Sequence, residues 1–368
     1  MYDAIIVGAR CAGSTTGMLL ARAGYRSLVV DRANFPSDVL STHFLQPDAV
    51  MRLKEWGLLD RVMASGCPAH HGVKFVIDGV EFPGPPSDEV PIIAPRRTVL
   101  DAILVDAARA AGAEVRENFS VQELLTEDGA VVGIRGQVSG GEPILERARI
   151  VIGADGRNSL VARSVAAESY NTIPPRQVGY YSYWSGFDNQ NWSELHAENG
   201  QVRAFIFPTN DGLCCIGALT KYSEFETVRK DPAAFMRGTF LDIKSLAGRC
   251  ENLKQEGRTM GWSGYESYYK KPFGPGWALV GDAGYLKDPT LGQGINDAFR
   301  DAEYLAGGLD AGFSGREELT AALAAYQQRR DAESGPVYAM NDLFASGQVS
   351  PMLMEMLIAG QQMLKAAG

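Results

Sequence analysis

Near its beginning the sequence reads Ala4-Ile5-Ile6-Val7-Gly8-Ala9-Arg10-Cys11-Ala12-Gly13, which predicts a buried strand, a glycine turn and the start of a helix. Residues 12–23 are rich in Ala, Met and Leu and are followed by Gly24, so the helix is expected to end there. Residues 27–30 are again apolar and lead to Asp31. This order of elements predicts a βαβ unit.

A glycine turn at a helix N-terminus offers free N–H groups and a positive dipole end to a pyrophosphate. Gly8, Ala12 and Gly13 would form this site, and Asp31 would accept hydrogen bonds from ribose hydroxyls at the end of the second strand. Arg10 replaces the usual middle glycine, so its side chain must point away from the phosphates or contact them as a cation. A purely structural tight turn is the alternative interpretation.

Composition excludes several classes of protein. The 368 residues carry 35 Lys+Arg against 44 Asp+Glu, a formal charge of −9, which argues against nucleic acid or an anionic membrane as the main partner. The length favours one large bipartite unit or two domains. The five cysteines are odd in number and lack C-x-x-C spacing, so neither a disulfide framework nor a zinc or other metal site is indicated: Cys11, Cys67, Cys214, Cys215 and Cys250.

The expected compartment is the cytoplasm. No apolar run reaches the roughly 18 to 20 residues that a membrane-spanning helix needs. The chain opens directly into its first strand without a basic segment or a cleavage site, so no targeting segment is predicted.

The texture of the sequence changes twice along the chain. Residues 98–111 have apolar positions at helical spacing, and residues 113–152 show short strands that end in the buried run Ile150-Val151-Ile152. From about 170 to 270 the chain is rich in aromatic residues and predicts an antiparallel sheet, with strands at 178–187, 202–208 and 212–220 and a small strand group around 73–93. A buried strand at 277–280, a helix starting near Gly294 and two or three helices within 317–366 follow.

Two further motifs lie far along the chain. Gly281-Asp282-Ala283-Gly284 is followed by Pro289-Thr290-Leu291-Gly292-Gln293-Gly294-Ile295-Asn296, and Asp155-Gly156-Arg157-Asn158-Ser159 precedes Arg163. With the opening glycine turn, they resemble the FAD-dependent monooxygenase superfamily, that is, the aromatic-hydroxylase and geranylgeranyl-reductase-like flavoproteins. The resemblance covers nearly the whole chain, and three motifs in order are more specific than any one alone.

The resemblance implies an α/β + β fold. A Rossmann-like FAD-binding domain, with a parallel sheet and a small antiparallel crossover sheet, would comprise residues 1–70, 96–168 and 270–345. An inserted antiparallel-sheet domain for the substrate would comprise residues 71–95 and 169–269. Residues 346–368 would form a C-terminal helix.

The resemblance also assigns FAD contacts residue by residue. Asp282 would hydrogen-bond the ribityl chain, and Arg97 would lie near the phosphates and the ribityl. A helix N-terminus would meet the flavin N1/C2 carbonyl edge, where its positive dipole end favours the anionic reduced flavin. The remaining assignments are Gly292, Gly294, Ile295 and Asn296 for that helix start, Asp155 and Gly156 for FAD and pyridine-nucleotide handling, Val121 for the adenine through its backbone, and Arg32 for the adenine edge.

The loop 36–44 should reach the reactive edge of the flavin. Relatives that bind phenolic acids often carry arginine in this loop, whereas this chain has Ser41, Thr42 and His43, which argues against a carboxylate-bearing substrate. His43 would suit acid–base work on a phenol. A hydrogen bond from His43 to the flavin or the backbone is the alternative.

Aromatic side chains are the candidate substrate contacts. Tyr181, Tyr183 and Phe187 are expected on one face of a strand, as are Phe205 and Phe207 on another. Such a face would bind a flat apolar substrate and exclude water, and Pro289 would lie near the same place. The alternative is that these rings simply pack the core of the second domain.

The resemblance implies an enzyme in which NAD(P)H reduces FAD, and O2 then gives a C4a-(hydro)peroxide that oxygenates an aromatic or polyene small molecule. NAD(P)H would visit transiently, because the chain carries one dinucleotide fingerprint. A flavin-dependent reductase or dehydrogenase of an isoprenoid or other alkene is the second interpretation. Halogenation ranks third, because the W-x-W-x-I-P signature of flavin halogenases is absent. A non-catalytic flavin-binding protein is the alternative from another class, and the oligomeric state is left open.

Overall fold

The computed structural model describes residues 1–84, 90–187 and 190–357. Its helices are α1 (Cys11–Arg22), α2 (Pro47–Glu55), α3 (Leu59–Ala64), α4 (Arg97–Ala110), α5 (Leu160–Ser164), α6 (Phe225–Val228), α7 (Pro232–Asp242), α8 (Lys244–Ala247), α9 (Gly294–Phe313) and α10 (Leu319–Ala345). Short 3-10 turns occupy Asn210–Gly212, Tyr222–Glu224, Gly281–Ala283 and Pro289–Leu291.

The strands of the first half are β1 (Tyr2–Val7), β2 (Ser27–Val30), β3 (Gly72–Ile77), β4 (Val80–Pro83), β5 (Glu114–Arg116), β6 (Phe119–Glu127), β7 (Ala130–Val138), β8 (Ile144–Gly153), β9 (Ser169–Ile173) and β10 (Gln177–Ser185). Those that follow are β11 (Trp192–Glu198), β12 (Gln201–Pro208), β13 (Cys214–Lys221), β14 (Lys254–Gln255), β15 (Met260–Trp262), β16 (Ser267–Lys270), β17 (Phe273–Gly274), β18 (Trp277–Leu279) and β19 (Tyr285–Leu286).

The first sheet contains the predicted βαβ unit. Its strand order is β17-β18-β8-β1-β2-β5, and β1 pairs in parallel with both β2 and β8. β6, β7 and β8 pair antiparallel and form the small crossover sheet that was expected beside it. Ile6 and Val29 pack with residues of α1, α4 and α9 on one face of this sheet, and Ile5 packs with Phe119 and Ile134 of the crossover sheet on the other. The sheet therefore has both faces covered, which explains its continuous apolar strands.

The second sheet has the order β14-β10-β13-β12-β11-β3-β4, with β15 also paired to β10. Its pairs are antiparallel except that β3 runs parallel to β11, with Gly72 opposite Trp192. A parallel pair needs a long crossover connection. The chain between β4 and β10, which passes through the first sheet, supplies it.

A third, three-stranded sheet of order β19-β16-β9 carries the long helix α10. Arg330 of α10 is fully buried and donates hydrogen bonds to the carbonyl oxygens of Gly284 and Lys270, each at 3.1 Å, and to the hydroxyl of Tyr170 at 2.7 Å. These bonds attach the C-terminal region to the turn that follows β18. The fold class is that of an α/β + β protein, as predicted.

The described residues correct some boundaries. α1 begins and ends one residue earlier than expected, and β10 ends at Ser185 rather than at 187. After α10 ends at Ala345, residues 346–350 are not helical, residues 351–357 are, and the rest of the predicted C-terminal helix, 358–368, lies outside the described residues. Residues 85–89 of the strand group around 73–93 lie outside them as well. In the described part of the chain, none of the helices combines the length and apolarity needed to cross a membrane.

Candidate functional site

The three predicted motifs meet at one edge of the first sheet. In the parallel strands β1, β8 and β18, Val7 lies opposite Gly153, and Gly153 lies opposite Leu279. The chain therefore leaves the sheet at the same edge into the glycine turn, into Asp155-Gly156 and into the Gly281 turn. Ligands of parallel α/β sheets bind at this carboxyl edge.

The glycine turn is closed against its neighbours. Gly8 has a φ of +104°, and a Cβ placed on it would lie 2.4 Å from the carbonyl oxygen of Ala154. A Cβ on Gly13 would lie 1.7 Å from the carbonyl oxygen of Gly8. α1 begins directly after Arg10, whose side chain forms no capping hydrogen bond. The first N–H groups of α1, including that of Ala12, therefore keep their capacity to bind an anion.

Asp31 directly follows β2, at the position where the sequence predicted a carboxylate that binds ribose hydroxyls. Its two oxygens accept hydrogen bonds from the N–H groups of Ala9 and Ala33, at 2.7 and 2.8 Å. The carboxylate is thereby oriented by the glycine turn itself. Arg32 next to it is exposed, and Val121 lies on β6, partly buried. The start of β6 also lies beside Asp31, because the N–H of Phe119 donates to the backbone carbonyl oxygen of Asp31 at 2.8 Å.

The side chain of Arg10, which replaces the usual middle glycine, is paired with a carboxylate. Its Nη1 donates to Oδ2 of Asp101 at 2.6 Å, and its Nη2 donates to Oγ of Ser37 at 3.0 Å. Arg97 binds the other oxygen of Asp101 through Nε, at 3.0 Å. Asp101 is fully buried. Two guanidinium groups around one carboxylate leave a net charge of +1 beside the start of α1, which suits a pyrophosphate.

Asp282 lies in the turn after β18 and is exposed. Its backbone carbonyl accepts a hydrogen bond from Tyr268 at 2.8 Å, while its carboxylate has no hydrogen-bond partner among the described residues. Although Asp282 is accessible, the protein around its carboxylate displaces part of the hydrating water and raises the pKa of Asp282 to about 6; the negative charge of Asp297 acts in the same direction. Gly281 packs between α1 and α9, since a Cβ on it would lie 2.9 Å from Cβ of Ala12.

The N-terminus of α9 is at Gly294, as predicted. Its N-cap residue Gln293 forms no side-chain capping bond, and Gly294 is exposed with open space where a Cβ would be. Gly292 has a φ of +65°, and the buried Ile295 anchors the first turn. Asn296 is buried, and its Oδ1 accepts a hydrogen bond from the N–H of Gln46 at 3.0 Å. Its Nδ2 has no partner among the described residues.

Asp155 serves partly as a cap. Its Oδ2 accepts hydrogen bonds from the N–H groups of Leu160 at 2.6 Å and Val161 at 3.4 Å, which start the short helix α5. Its Oδ1 is buried without a partner among the described residues, and burial raises its pKa. Gly156 follows with a φ of +75°. Asp155 and Gly156 thus lie next to Gly8, and Oδ1 of Asp155 remains available for a ligand.

The loop 36–44 lies against the start of α9. A Cβ on Gly292 would lie 3.3 Å from Oγ1 of Thr42, and the N–H of Ser41 donates to the hydroxyl of Tyr181 at 2.9 Å. His43 is fully buried, and its φ of +65° is unusual for a residue with a side chain. Such strain is typical of residues held in place by the structure around them.

His43 is neutral near pH 7. Its Nε2 lies 2.6 Å from the hydroxyl of Tyr183, and its Nδ1 has no partner among the described residues. Burial lowers the pKa of His43 to about 3, and the positive charges of Arg97 and Arg96 act in the same direction. A neutral imidazole carries one N–H and one lone pair, so it can accept a proton at one nitrogen and release one at the other.

The aromatic side chains divide into two groups. Tyr181 and Tyr183 point their hydroxyls at the loop 36–44. Phe205 and Phe207 stack on each other with centroids 5.1 Å apart, and Phe207 also stacks on the loop residue Phe44, at 4.7 Å. These five rings are at most 4 % exposed. The phenylalanines are thus packed as core, whereas the tyrosines present polar atoms to the loop.

Phe187 does not share the face of Tyr181. β10 ends at Ser185, and Gly186 turns the chain with a φ of +80°. Phe187 then packs with Trp184 on the opposite face of the sheet. The prediction that Tyr181, Tyr183 and Phe187 share one face is therefore wrong for Phe187. Pro289 opens a 3-10 turn before α9 and is partly exposed.

Three charged residues of the site were not singled out from the sequence. Asp101 forms the centre of the arginine pair, and Arg96 places its guanidinium carbon 4.4 Å from the ring centroid of Tyr183. Lys287 is buried and ion-paired with Asp297 in the first turn of α9. Each of them lies close in sequence to residues that were singled out. Asp101 is four residues after Arg97, Arg96 directly precedes Arg97, and Lys287 lies between the Gly281 turn and the segment that begins at Pro289.

The site fits FAD. Two helix N-termini without side-chain caps, the net positive charge around Asp101 and the free carboxylate of Asp282 match a pyrophosphate and a polyol chain. Asn296 adds a buried donor with no partner among the described residues. By contrast, no group of three or more His, Cys, Asp or Glu able to hold a metal ion occurs within the described ranges.

The fold and this site define a nucleotide-dependent oxidoreductase of the Rossmann-like class. Residues 1–337 match the family described as "FAD binding domain", and the chain belongs to that family. It is therefore an FAD-dependent flavoenzyme, and FAD is its cofactor.

Relatives with known activities share most of this chain. The 1H-pyrrole-2-carbonyl-[peptidyl-carrier protein] brominase of Pseudoalteromonas luteoviolacea is 23% identical over 334 residues, 87% of this chain and 80% of that protein. Digeranylgeranylglycerophospholipid reductase of Methanosarcina mazei is 28% identical over 317 residues, 83% of this chain and 74% of that protein. The structure of the myxobacterial chondrochloren halogenase has a TM-score of 0.86 at 22% identity, covering 93% of this chain and 82% of that one.

Proposed function

We propose that this chain is an FAD-dependent monooxygenase that hydroxylates an electron-rich aromatic small molecule, a phenol in particular, with NAD(P)H as electron donor. One oxygen atom of O2 enters the substrate and the other leaves as water, while NAD(P)H supplies two electrons. The observation that carries the proposal is the buried pair of His43 and Tyr183 beside the start of α9.

The pair is built to move a proton without leaving a net charge on the imidazole. Tyr183 and His43 Nε2 are 2.6 Å apart, and Nδ1 is left for another group. A proton accepted at one ring nitrogen is matched by a proton released from the other. Deprotonation of a phenol raises the electron density of its ring, which is what attack on an electrophilic oxygen requires.

Arg96 supports the phenolate form. Its guanidinium lies over the ring of Tyr183, and its Nε is buried with no partner among the described residues. Its exposed end contacts Asp211 at 3.3 Å, so the cation is only partly compensated. A positive charge close to a developing phenolate stabilises it in a poorly hydrated site.

The walls of this region are apolar. Phe44, Tyr181 and Leu291 are each at most 7 % exposed and belong to one cluster. Bound FAD supplies the activation of O2 after reduction, and a dry environment protects the activated oxygen from water. Residues of the loop 36–44 would exclude water and orient the substrate ring.

The test is oxygen consumption by the purified holoenzyme with NADH or NADPH and a panel of phenols. The proposal expects substrate-stimulated consumption and a product that gains one atom from isotopically labelled O2. Three results would overturn it. Anaerobic oxidation of the reduced enzyme by an alkene would show a reductase. A halogenated product formed only with halide would show a halogenase. Absence of reduction by NADH, NADPH or ferredoxin would show a non-catalytic flavoprotein.

A further inference from the structure

Four charged side chains form a buried cluster behind the N-terminus of α9. Lys287 and Asp297 form an ion pair, and Nη1 of Arg300 lies 3.0 Å from the other oxygen of Asp297. Nη2 of Arg300 lies 2.7 Å from Oδ1 of Asp301. The four side chains are at most 12 % exposed. Two cations and two carboxylates make the cluster neutral.

The neutrality of this cluster matters because of where Asp297 lies. Asp297 is in the first turn of α9, close enough to the exposed Asp282 that its charge raises the pKa of that carboxyl group. A helix N-terminus carries a positive potential of about half an elementary charge. A carboxylate in the first turn, unless it is neutralised, cancels that potential for any anion bound at the helix start. Lys287 and Arg300 are the partners that neutralise it.

We propose that Lys287 is a positioning residue that compensates Asp297 and so keeps the start of α9 electropositive toward bound FAD, which stabilises the reduced, anionic form of the cofactor. Lys287 is well suited to this role because its Nζ is fixed from two sides, by Asp297 and by the hydroxyl of Tyr285 at 3.3 Å. The inference rests on the FAD family and not on the proposed hydroxylation.

The experiment is a measurement of the two-electron reduction potential of bound FAD in Lys287→Met, Asp297→Asn and the double variant. Lys287→Met leaves one negative charge in excess, so binding of reduced relative to oxidised FAD should weaken roughly tenfold. For a two-electron couple, this corresponds to a potential lower by about 30 mV. Asp297→Asn leaves one positive charge in excess and should raise the potential. The neutral double variant should return close to the wild-type value.

Opposite signs separate this role from simple damage to the fold, because a loss of packing would shift both single variants in the same direction. Thermal unfolding and far-ultraviolet circular dichroism are recorded on the same samples. Lys74→Met, which removes a cation paired with Glu81 on the second sheet, should leave the potential unchanged. If Lys287→Met no longer retains FAD, the reduction potentials of Asp297→Asn and of the double variant decide the question. Equal potentials in all variants, shifts of the same sign, or a double variant far from wild type would overturn the proposal.

Discussion

The Nε2 atom of His43 lies 2.6 Å from the hydroxyl oxygen of Tyr183, and both side chains are buried. His43→Ala should retain FAD but lower turnover by roughly 10² or more, the usual contribution of a positioned acid–base group. Flavin content from absorbance and substrate-dependent NAD(P)H oxidation check both statements. Tyr183→Phe should reproduce the loss, because it removes the hydroxyl and keeps the ring. Wild-type turnover in His43→Ala would remove this residue from the mechanism.

Asp282→Ala should purify with little FAD. The ribityl hydroxyls would then face a site without an acceptor, and a polar group left unpaired on binding is costly. The ratio of flavin to protein absorbance measures the effect. Asp106→Ala, which removes an exposed carboxylate from α4, serves as the control and should keep full flavin content. Normal flavin content in Asp282→Ala would contradict the assignment.

FAD affinity should depend on pH through the same carboxylate. The pKa of Asp282 is about 6, so the group is ionised above pH 6 and becomes protonated as the pH falls below that value. Hydrogen bonds from ribityl hydroxyls favour the ionised form, hence affinity should be full above pH 6 and decline below it, by at most about tenfold per pH unit. Titrations of the apoprotein with FAD from pH 5 to pH 8 measure this. Asp282→Asn should flatten the profile; a slope that persists in this variant refutes the attribution.

Gly294 allows a steric test of how closely the cofactor approaches α9. The residue is exposed and has open space around a Cβ, so Gly294→Ala should leave stability unchanged or raise it by up to about 1 kcal/mol. If FAD lies against this helix start, the added methyl group should weaken its binding at least tenfold. Gly307→Ala, in the same helix and equally open, is the matched control. Equal FAD affinity in the two variants would place the flavin elsewhere.

Arg10 should contribute to FAD affinity through its charge. Arg10→Met leaves Asp101 paired with Arg97, so the fold is expected to persist, but the net charge of the group falls from +1 to zero. FAD should bind more weakly, with a smaller dependence on salt concentration, because fewer phosphate charges are neutralised. Isothermal titration at two ionic strengths measures both quantities, with Arg61→Met on the surface as control. An unchanged affinity and salt dependence would argue for a purely structural Arg10.

Much of the fold was predictable because its information is local. The βαβ unit, the strand before Asp155 and the helix start at Gly294 follow from apolar runs that end at glycine or a polar residue. β11 and the helices α6–α8 were not predicted. β11 contains Glu194 and His196, both buried by contact with Arg249 and Ser245 from a distant segment. Polar residues that are buried through long-range partners carry no apolar period for a sequence argument to detect.

The candidate site likewise divides into features set by the local sequence and features set by tertiary contacts. The sequence by itself determined the type of cofactor, because a pyrophosphate requires glycine and free N–H groups at defined spacing within one segment, whereas the residues assigned to contact it stay a prediction. Only the tertiary structure decided which charges face those residues: Arg10 against Asp101, Lys287 against Asp297, and the neutral state of His43. The physical reason is that charge state and pairing depend on burial and on partners distant in sequence, which the packing of separate segments creates.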